Sequence, residues 1–340
     1  NCQQVARVIV CLGVGRNVTM TKDNVKLTVD ASVAYRVTNP IMAHYVLGGK
    51  LDMSFMGKFL VQGRDAGEFL DYLSANSVNG ASEKITYTQW LNEDGRLEAD
   101  LTVIKLDPKQ FMVVTSDIAH RHTETWMKRH IRDEQHVFVT DVTSGFGQLN
   151  IQGPKSRELL QSLTSADLSN EAFPFRTARE IDIGLARVMC VRITYVGELG
   201  YELNIPSEQA LHVYDRIVEA GEAFGLKHAG LKALSSLRLE KGYRDYGHDI
   251  DNMDDPYSTG LGFAVRLDKK SDFIGKQACM ERKSDTAFKH RLVQILLKDP
   301  EPLMVHSEIV LRNGQPVGEV RAASYGHTLG GSVGLAMVSG

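Results

Sequence analysis

Asn92-Glu93-Asp94-Gly95-Arg96-Leu97-Glu98-Ala99-Asp100-Leu101-Thr102-Val103 is the stretch on which the reading of this chain turns. Asp-Gly between two strand-forming runs is a strong hairpin signal. The run before it, Ile85 to Leu91, carries Ile85, Tyr87 and Trp90; the run after it alternates apolar Leu101 and Val103 with polar Thr102. Asp100 therefore enters a strand just inside a hairpin. Aspartate is disfavoured in strands. It is either an exposed edge residue or an acid held in place for chemistry.

Outward from the hairpin, Gly57 to Gly63 reads as a strand, and Arg64-Asp65-Ala66 opens a helix with Phe69, Leu70 and Leu73 on one face. Phe111 to Val114 is a strand. Ser116 or Asp117 is the expected N-cap of a helix to about Arg132, whose basic Lys128-Arg129-His130-Ile131-Arg132 suits a helix end. Val137 to Thr140 and Gly147 to Gln152 follow as strands. The order β-α-β-β-β-α-β is an α+β pattern with local strand pairing. Beyond it come a helix from Gly153-Pro154-Lys155-Ser156, strands at 178–184, 186–195 and 197–205, a helix capped by Ser207, a helix over 231–243, a strand at 263–268 and a helix to Arg282. From Arg291 the chain is short strands, with Asn313-Gly314 a further hairpin turn. This tail reads as a small β-barrel or sandwich.

Residues 1–49 differ in character. Val25 to Val37 alternates as one long half-buried strand, Asn39-Pro40 ends it, and Gly48-Gly49 makes a linker. Thr21-Lys22-Asp23-Asn24-Val25, Val29-Asp30-Ala31 and Tyr35-Arg36-Val37-Thr38-Asn39-Pro40 resemble the stomatin/prohibitin (SPFH) family, over residues 5–47. That resemblance implies membrane association through residues 1–49 only. The chain starts at Asn1 and ends just after a strand-like run, which reads as a cut at both ends.

The 340 residues carry a net charge of -3, with 43% hydrophobic and 24% charged content. This is ordinary for a globular protein and gives no electrostatic footprint for nucleic acid. No apolar run reaches the roughly 18 residues of a spanning helix. Cys2, Cys11, Cys190 and Cys279 show no CxxC spacing or disulfide framework, consistent with a reducing compartment. There is no GxGxxG opening a helix, no P-loop and no serine nucleophile elbow. His120 and His122 lack a zinc-ligand pattern. The acids of 249–255 lack the spacing and terminal glutamate of a calcium loop.

Several motifs, in order, carry a second resemblance. They are Asp52-Met53-Ser54-Phe55, Gly57-Lys58-Phe59, Gly63-Arg64-Asp65-Ala66, Tyr87-Thr88-Gln89-Trp90-Leu91-Asn92 and Glu98-Ala99-Asp100-Leu101-Thr102. Gln152-Gly153-Pro154-Lys155-Ser156, Tyr195-Val196-Gly197-Glu198-Leu199-Gly200-Tyr201-Glu202, Ser236 to Tyr243, Asp272 to Ala278 and Tyr325-Gly326-His327-Thr328 follow. Together they resemble the glycine-cleavage T-protein (aminomethyltransferase) family from about Leu51 onward. The likeness is greatest to the folate-binding C-terminal half of sarcosine and dimethylglycine dehydrogenases. One departure is Tyr257-Ser258-Thr259-Gly260 after Asp255-Pro256, where the family carries an extra acid.

The resemblance implies a three-subdomain cloverleaf around a folate channel, with a C-terminal β-barrel. Expected domains are 1–49 (the β-rich fragment), 50–285 (folate-binding) and 286–340 (a truncated barrel). It implies tetrahydrofolate as cofactor and formation of 5,10-methylenetetrahydrofolate from an iminium or aminomethyl donor. Asp100 would sit beside the reactive amine, where a fixed carboxylate can orient it and take its proton. Thr102, two residues on, would share that face. Glu202 would pair two adjacent N–H donors of the pterin, with Tyr195 lining the pocket. Glu198 reads as a solvated turn residue. Arg238 pairs Glu240 or Asp245, or contributes to folate binding. Any FAD would belong to a flavin dehydrogenase domain or subunit outside this chain. A mitochondrial matrix location follows from animal relatives, a cytoplasmic one from bacterial relatives. A regulatory subunit of the same fold, like that of pyruvate dehydrogenase phosphatase, and a membrane-surface scaffold are the alternatives.

Overall fold

In a computed structural model, the chain is described over residues 49–284 and 289–339 and in four short strands before them. Those strands are β1 (Arg7–Ile9), β2 (Asn17–Met20), β3 (Lys26–Val29) and β4 (Ala34–Arg36). β1 pairs with β4, and β2 with β3. Of the long strand expected over Val25–Val37, the described pieces are Lys26–Val29 and Ala34–Arg36, which are strands with different antiparallel partners; the residues between them lie outside the described residues. The remainder of residues 5–47, which carries the SPFH resemblance, lies outside the described residues. So does the expected domain junction at 285/286.

Two sheets build the main body. The first is five-stranded, from β6 (Gly57–Gln62), β7 (Ile85–Leu91), β8 (Leu97–Asp107), β9 (Gln110–Thr115) and β10 (Phe138–Asp141), in the order β10-β6-β9-β8-β7. Its period-2 alternation divides residues between two faces. Leu97, Ala99 and Leu101 of β8 are buried, whereas Glu98, Asp100 and Thr102 are only half-buried. The outer face packs Phe59, Trp90, Leu101 and Val103 against helices α1 (Ala66–Leu73) and α2 (His120–His130). α1 contributes the expected Phe69, Leu70 and Leu73. Trp90 is fully buried, and its indole N–H donates to Ser74 Oγ at 3.0 Å.

The second sheet joins β5 (Gly49–Asp52), β11 (Phe146–Gln152), β12 (Ala178–Ile183), β13 (Ala186–Val191), β14 (Gly200–Pro206) and β15 (Lys227–His228), ordered β12-β13-β14-β11-β5-β15. One face buries Leu149, Ile151, Tyr201, Leu203 and Ile205 beneath α3 (Ser156–Gln161) and α4 (Ala210–Gly221). The inner faces of the two sheets meet through Ile85, Ile104, Met112 and Val114 on one side and Ala178 and Val191 on the other.

A third lobe holds α5 (Leu231–Glu240), α6 (Lys276–Ser284) and a four-stranded antiparallel sheet. The sheet comprises β16 (His290–Leu296), β17 (Ile309–Arg312), β18 (Gln315–Gly326) and β19 (Gly331–Ser339), ordered β16-β19-β18-β17. Its core includes Leu91 and Leu97 from the β7–β8 hairpin, so the hairpin is clamped between lobes.

Three local expectations are corrected. Residues 263–268 form a 3-10 turn (Gly262–Ala264) and further turns, not a strand; Phe263 lies 72% exposed while Ala264 and Val265 are buried. Ser116 and Asp117 precede α2 as successive turns rather than as side-chain caps, and Ala119 holds the N-cap position. Ser207 donates its hydroxyl to the Ser144 carbonyl at 2.6 Å and opens a 3-10 turn before α4.

Gly275, at the entrance to α6, has φ +80°, and a Cβ there would lie 2.4 Å from the Asn92 carbonyl oxygen in the hairpin turn. Gly314 has a similar φ of +77° but open space around it. Gly314→Ala should therefore cost only the left-handed backbone term, ~1–2 kcal/mol. Gly275→Ala is expected to cost clearly more, seen as a lower denaturation midpoint in parallel urea titrations.

Candidate functional site

The inner face of the five-stranded sheet carries the cross-strand row Lys58, Val114, Thr102 and Tyr87. Next to it along β8, Asp100 lies opposite Gln89. Gln89 Nε2 donates to Asp100 Oδ1 at 2.8 Å, and the neighbouring Tyr87 hydroxyl also favours the ionised carboxylate. Burial pushes the Asp100 carboxyl up to about 6, outweighing both; Asp245 and Asp249 add repulsion. Burial also pushes the Tyr87 phenol well up, with Asp100 contributing, so it remains a neutral donor. Asp100 is half-buried by exposed area yet strongly desolvated. A narrow cleft reconciles the two, because water touches the carboxylate while protein surrounds it on most sides.

Across the cleft, β11 and β14 present Gln148, Asn150, Gln152, Glu202 and Asn204 on one face. Gln148 Nε2 and Asn150 Nδ2 donate to the two Glu202 oxygens at 3.2 and 3.4 Å. Burial raises the Glu202 carboxyl to about 7 against the lowering influence of Lys58 and Asn150. Lys58 is fully buried, donates to the Ser54 and Met56 carbonyls at 3.2 and 2.8 Å, and is lowered by burial to about 8. The side-chain oxygens of Gln89, Gln148 and Asn204, and both amide atoms of Gln152, are buried without a hydrogen-bond partner among the described residues. Buried polar atoms are normally satisfied, so this concentration marks a place built to meet a polar ligand. A Cβ on Gly200 would fall 1.7 Å from Gln152 Oε1, so a side chain there would displace the Gln152 amide.

Two aromatic pairs flank the cleft. Tyr87 stacks on Phe263 at 6.1 Å, and Tyr195 on Tyr243 at 6.0 Å. The Tyr195 hydroxyl donates to the Arg244 carbonyl. Its phenol is pushed well up, by burial first and then by Asp245; Asp100 also contributes. Lys58 and Asp100 lie on strands two places apart, on the order of 10 Å across the sheet. The two raised carboxyls therefore stand at separate ends of one cleft.

The structure thus sets Tyr195 within electrostatic reach of Asp100, puts Thr102 on the same strand face as Asp100, and places Glu202 apart from them, beside Lys58, Gln148 and Asn150. Arg238 is corrected. Its side chain is 3% exposed, Nη1 lies 3.0 Å from Asp249 Oδ2 and donates to the Tyr243 carbonyl at 2.9 Å. It pairs with neither Glu240 nor Asp245 directly. Instead it counters the charge of Asp249 and Asp245 and lowers the Tyr195 phenol. Glu240 accepts from the Thr328 backbone N–H and hydroxyl. Sequence reasoning missed Lys58, Gln89, Gln148, Asn150, Asn204 and Phe263 as site residues. Gln89 was findable, as the partner facing Asp100 across the hairpin; the rest depend on how the sheets meet. Among the described residues no His/Cys/Asp/Glu group is arranged to hold a metal, and no helix is long and apolar enough to cross a membrane.

Two family models match: the GCVT N-terminal domain over residues 42–269 and the glycine cleavage T-protein C-terminal barrel domain over residues 290–340. The chain is 41% identical over 285 residues to 4-methylaminobutanoate oxidase (formaldehyde-forming) of Paenarthrobacter nicotinovorans, covering 84% of this chain and 34% of that protein. It is 36% identical over 293 residues to mitochondrial sarcosine dehydrogenase of Mus musculus, covering 82% and 32%. The chain spans about a third of the length of both relatives. The crystal structure of glycine cleavage system aminomethyltransferase T from Bartonella henselae has the same fold, with a TM-score of 0.76 and 24% identity over 86% of this chain and 78% of that one.

Carboxyls raised by folding bind more protons in the native state than in the unfolded one, so stability is full at low pH and falls as pH rises through their folded values. At about 1.4 kcal/mol per pKa unit, Asp100 and Glu202 together should withdraw at most about 5 kcal/mol between about pH 4.5 and 7, less where solvent screens Asp100. Asp100→Asn is expected to remove the Asp100 share, which ends near pH 6, and Glu202→Gln the share that continues to about pH 7, measured by urea unfolding across pH. Arg238→Met strands Asp249 as a buried charge and should cost ~3–5 kcal/mol; adding Asp249→Leu should recover much of that loss in the same assay.

Proposed function

The chain belongs to the glycine-cleavage T-protein family, and from that premise we propose that its cleft binds tetrahydrofolate and passes a one-carbon unit to it. The donor in this reading is the iminium or aminomethyl product of N-methyl amine oxidation, made by a flavin-dependent domain or subunit beyond this chain. When bound, tetrahydrofolate supplies the nucleophilic amine that takes up the carbon.

The observation that carries this reading is the pair of raised carboxyls at opposite ends of one aromatic-flanked cleft. Glu202, with its two oxygens already aligned by Gln148 and Asn150, is suited to accept two neighbouring N–H donors of a pyrimidine edge. The unpartnered oxygens of Gln148 and Asn204 extend that row of acceptors. Lys58 favours the ionised form of Glu202. At the other end Asp100, raised to about 6, is mostly ionised at neutral pH yet basic enough to take a proton from an attacking amine. Gln89 fixes its orientation. Tyr87 with Phe263, and Tyr195 with Tyr243, offer flat apolar walls for a ring system.

Sarcosine dehydrogenase and the methylaminobutanoate oxidase are named for reactions on N-methyl amines, which supports this donor class. The product 5,10-methylenetetrahydrofolate would follow as both folate nitrogens bond to the iminium carbon, the carbon's bonds to the donor nitrogen break, and the two folate N–H protons leave with the released amine as ammonium. The scaffold role assigned to residues 1–49 rests on sequence resemblance alone.

Calorimetric titration of tetrahydrofolate into the chain tests the reading. Saturable binding is expected, weakened by about 10–100-fold in Glu202→Gln through loss of a charge-assisted contact. Asp100→Asn should bind nearly as wild type but lose about 10²–10⁴-fold in methylene transfer from formaldehyde-derived iminium. No binding by the folded wild-type chain would favour a regulatory subunit of the same fold.

A further inference from the structure

A cavity of about 980 Å³, whose lining does not include Asp100, lies among the β7–β8 turn, the 253–258 loop, the end of α6 and the edge of the C-terminal sheet. Its walls carry four permanent cations, Arg96, Arg282, Lys289 and Arg321, against three acids, Asp254, Asp255 and Glu319. The guanidinium groups are held in place. Arg321 Nη1 lies 3.1 Å from Asp254 Oδ2, Arg282 Nη1 lies 3.7 Å from Asp255 Oδ2, and Arg96 donates to the Met253 carbonyl.

What these contacts leave over is one-sided. Arg282 Nε, Arg321 Nε and the Tyr257 hydroxyl are buried with no hydrogen-bond partner among the described residues. Arg321 Nε is 3.9 Å from Glu319, beyond hydrogen-bond range. Burial raises the Tyr257 phenol to about 12, with Cys279 and Asp255 adding to the shift, so it stays a donor. Each unmet buried donor carries a desolvation cost. No side-chain acceptor of the cavity lining is left unmet. Water can satisfy donors, but it does not answer the excess positive charge. An acceptor-only anion answers both. The volume is that of a site for a drug-sized molecule, far more than one carboxylate fills, and the three donors come from three separate segments.

We propose that this cavity binds a small organic polycarboxylate, with Arg282, Arg321 and Tyr257 as direct contacts and Arg96 and Lys289 supplying long-range attraction. The site is separate from the cleft between the two large sheets and does not depend on the folate reading.

The test is calorimetric titration of citrate into the full chain at constant ionic strength, which removes differences in screening, with acetate as the monovalent control. Citrate should bind saturably and at least about tenfold more tightly than acetate. Arg282→Gln should weaken citrate by about tenfold or more. Tyr257→Phe should weaken it by several-fold without lowering the melting temperature, because the hydroxyl has no protein partner to lose. Asp100→Asn should bind citrate as wild type does. The proposal is overturned by absence of binding to the folded wild-type chain, by equal affinity for acetate, by unchanged affinity in both cavity variants, or by loss of binding in Asp100→Asn.

Discussion

The alternation of side chains along β8 is the constraint on which the rest depends. One strand supplies Leu97, Ala99 and Leu101 to the cores and Asp100 and Thr102 to the inner face, while Glu98 turns to Asn92 and His122. A one-residue slip would exchange these sets, placing polar groups in apolar cores and apolar groups on the inner face. The register is held from several directions. The hairpin turn is packed by Gly275, the Leu97 amide donates to the Asp254 carbonyl, and Leu91 and Leu97 are buried in the third lobe. The acid is therefore positioned by the same hydrophobic burial that stabilises the fold.

The cleft forms because two sheets meet through a small apolar contact that does not extend across their whole inner faces. Ile85, Ile104, Met112 and Val114 seal one region against Ala178 and Val191. Beyond that contact the faces turn polar, with Lys58 on one side and Gln148, Asn150, Glu202 and Asn204 on the other. Desolvation without full pairing leaves Glu202 and Asp100 poised closer to neutrality than a surface carboxylate. Such a site is costly for stability and useful for chemistry.

Charge is handled differently in the third lobe. There Arg238 and Asp249 form a buried pair, and Asp254 and Asp255 each face a guanidinium. The acid-rich segment 249–255, which in sequence invites a metal, is instead knitted to arginines from α5, α6 and β18. The Asp254 and Asp255 pairs frame the cationic cavity.

By itself the sequence determined the α+β order, the hairpin at Asp94-Gly95, the apolar face of α1 and the ordered motifs that led to Asp100 and Glu202. These are local signals: period-2 alternation, turn chemistry and helix spacing act between near neighbours in the chain. The cap positions of α2 and α4 and the state of residues 263–268 were less legible, because tertiary contacts outweighed local propensity. Ser207 found Ser144, and Val265 found a buried place that a strand did not require. Tertiary structure alone decided that Lys58 faces Glu202, that Gln148 and Asn204 present unmet oxygens, and that Arg238 is taken up by Asp249. Each of these joins residues dozens apart in sequence. Their meaning comes from desolvation and charge in a shared enclosure, which no spacing along the chain encodes.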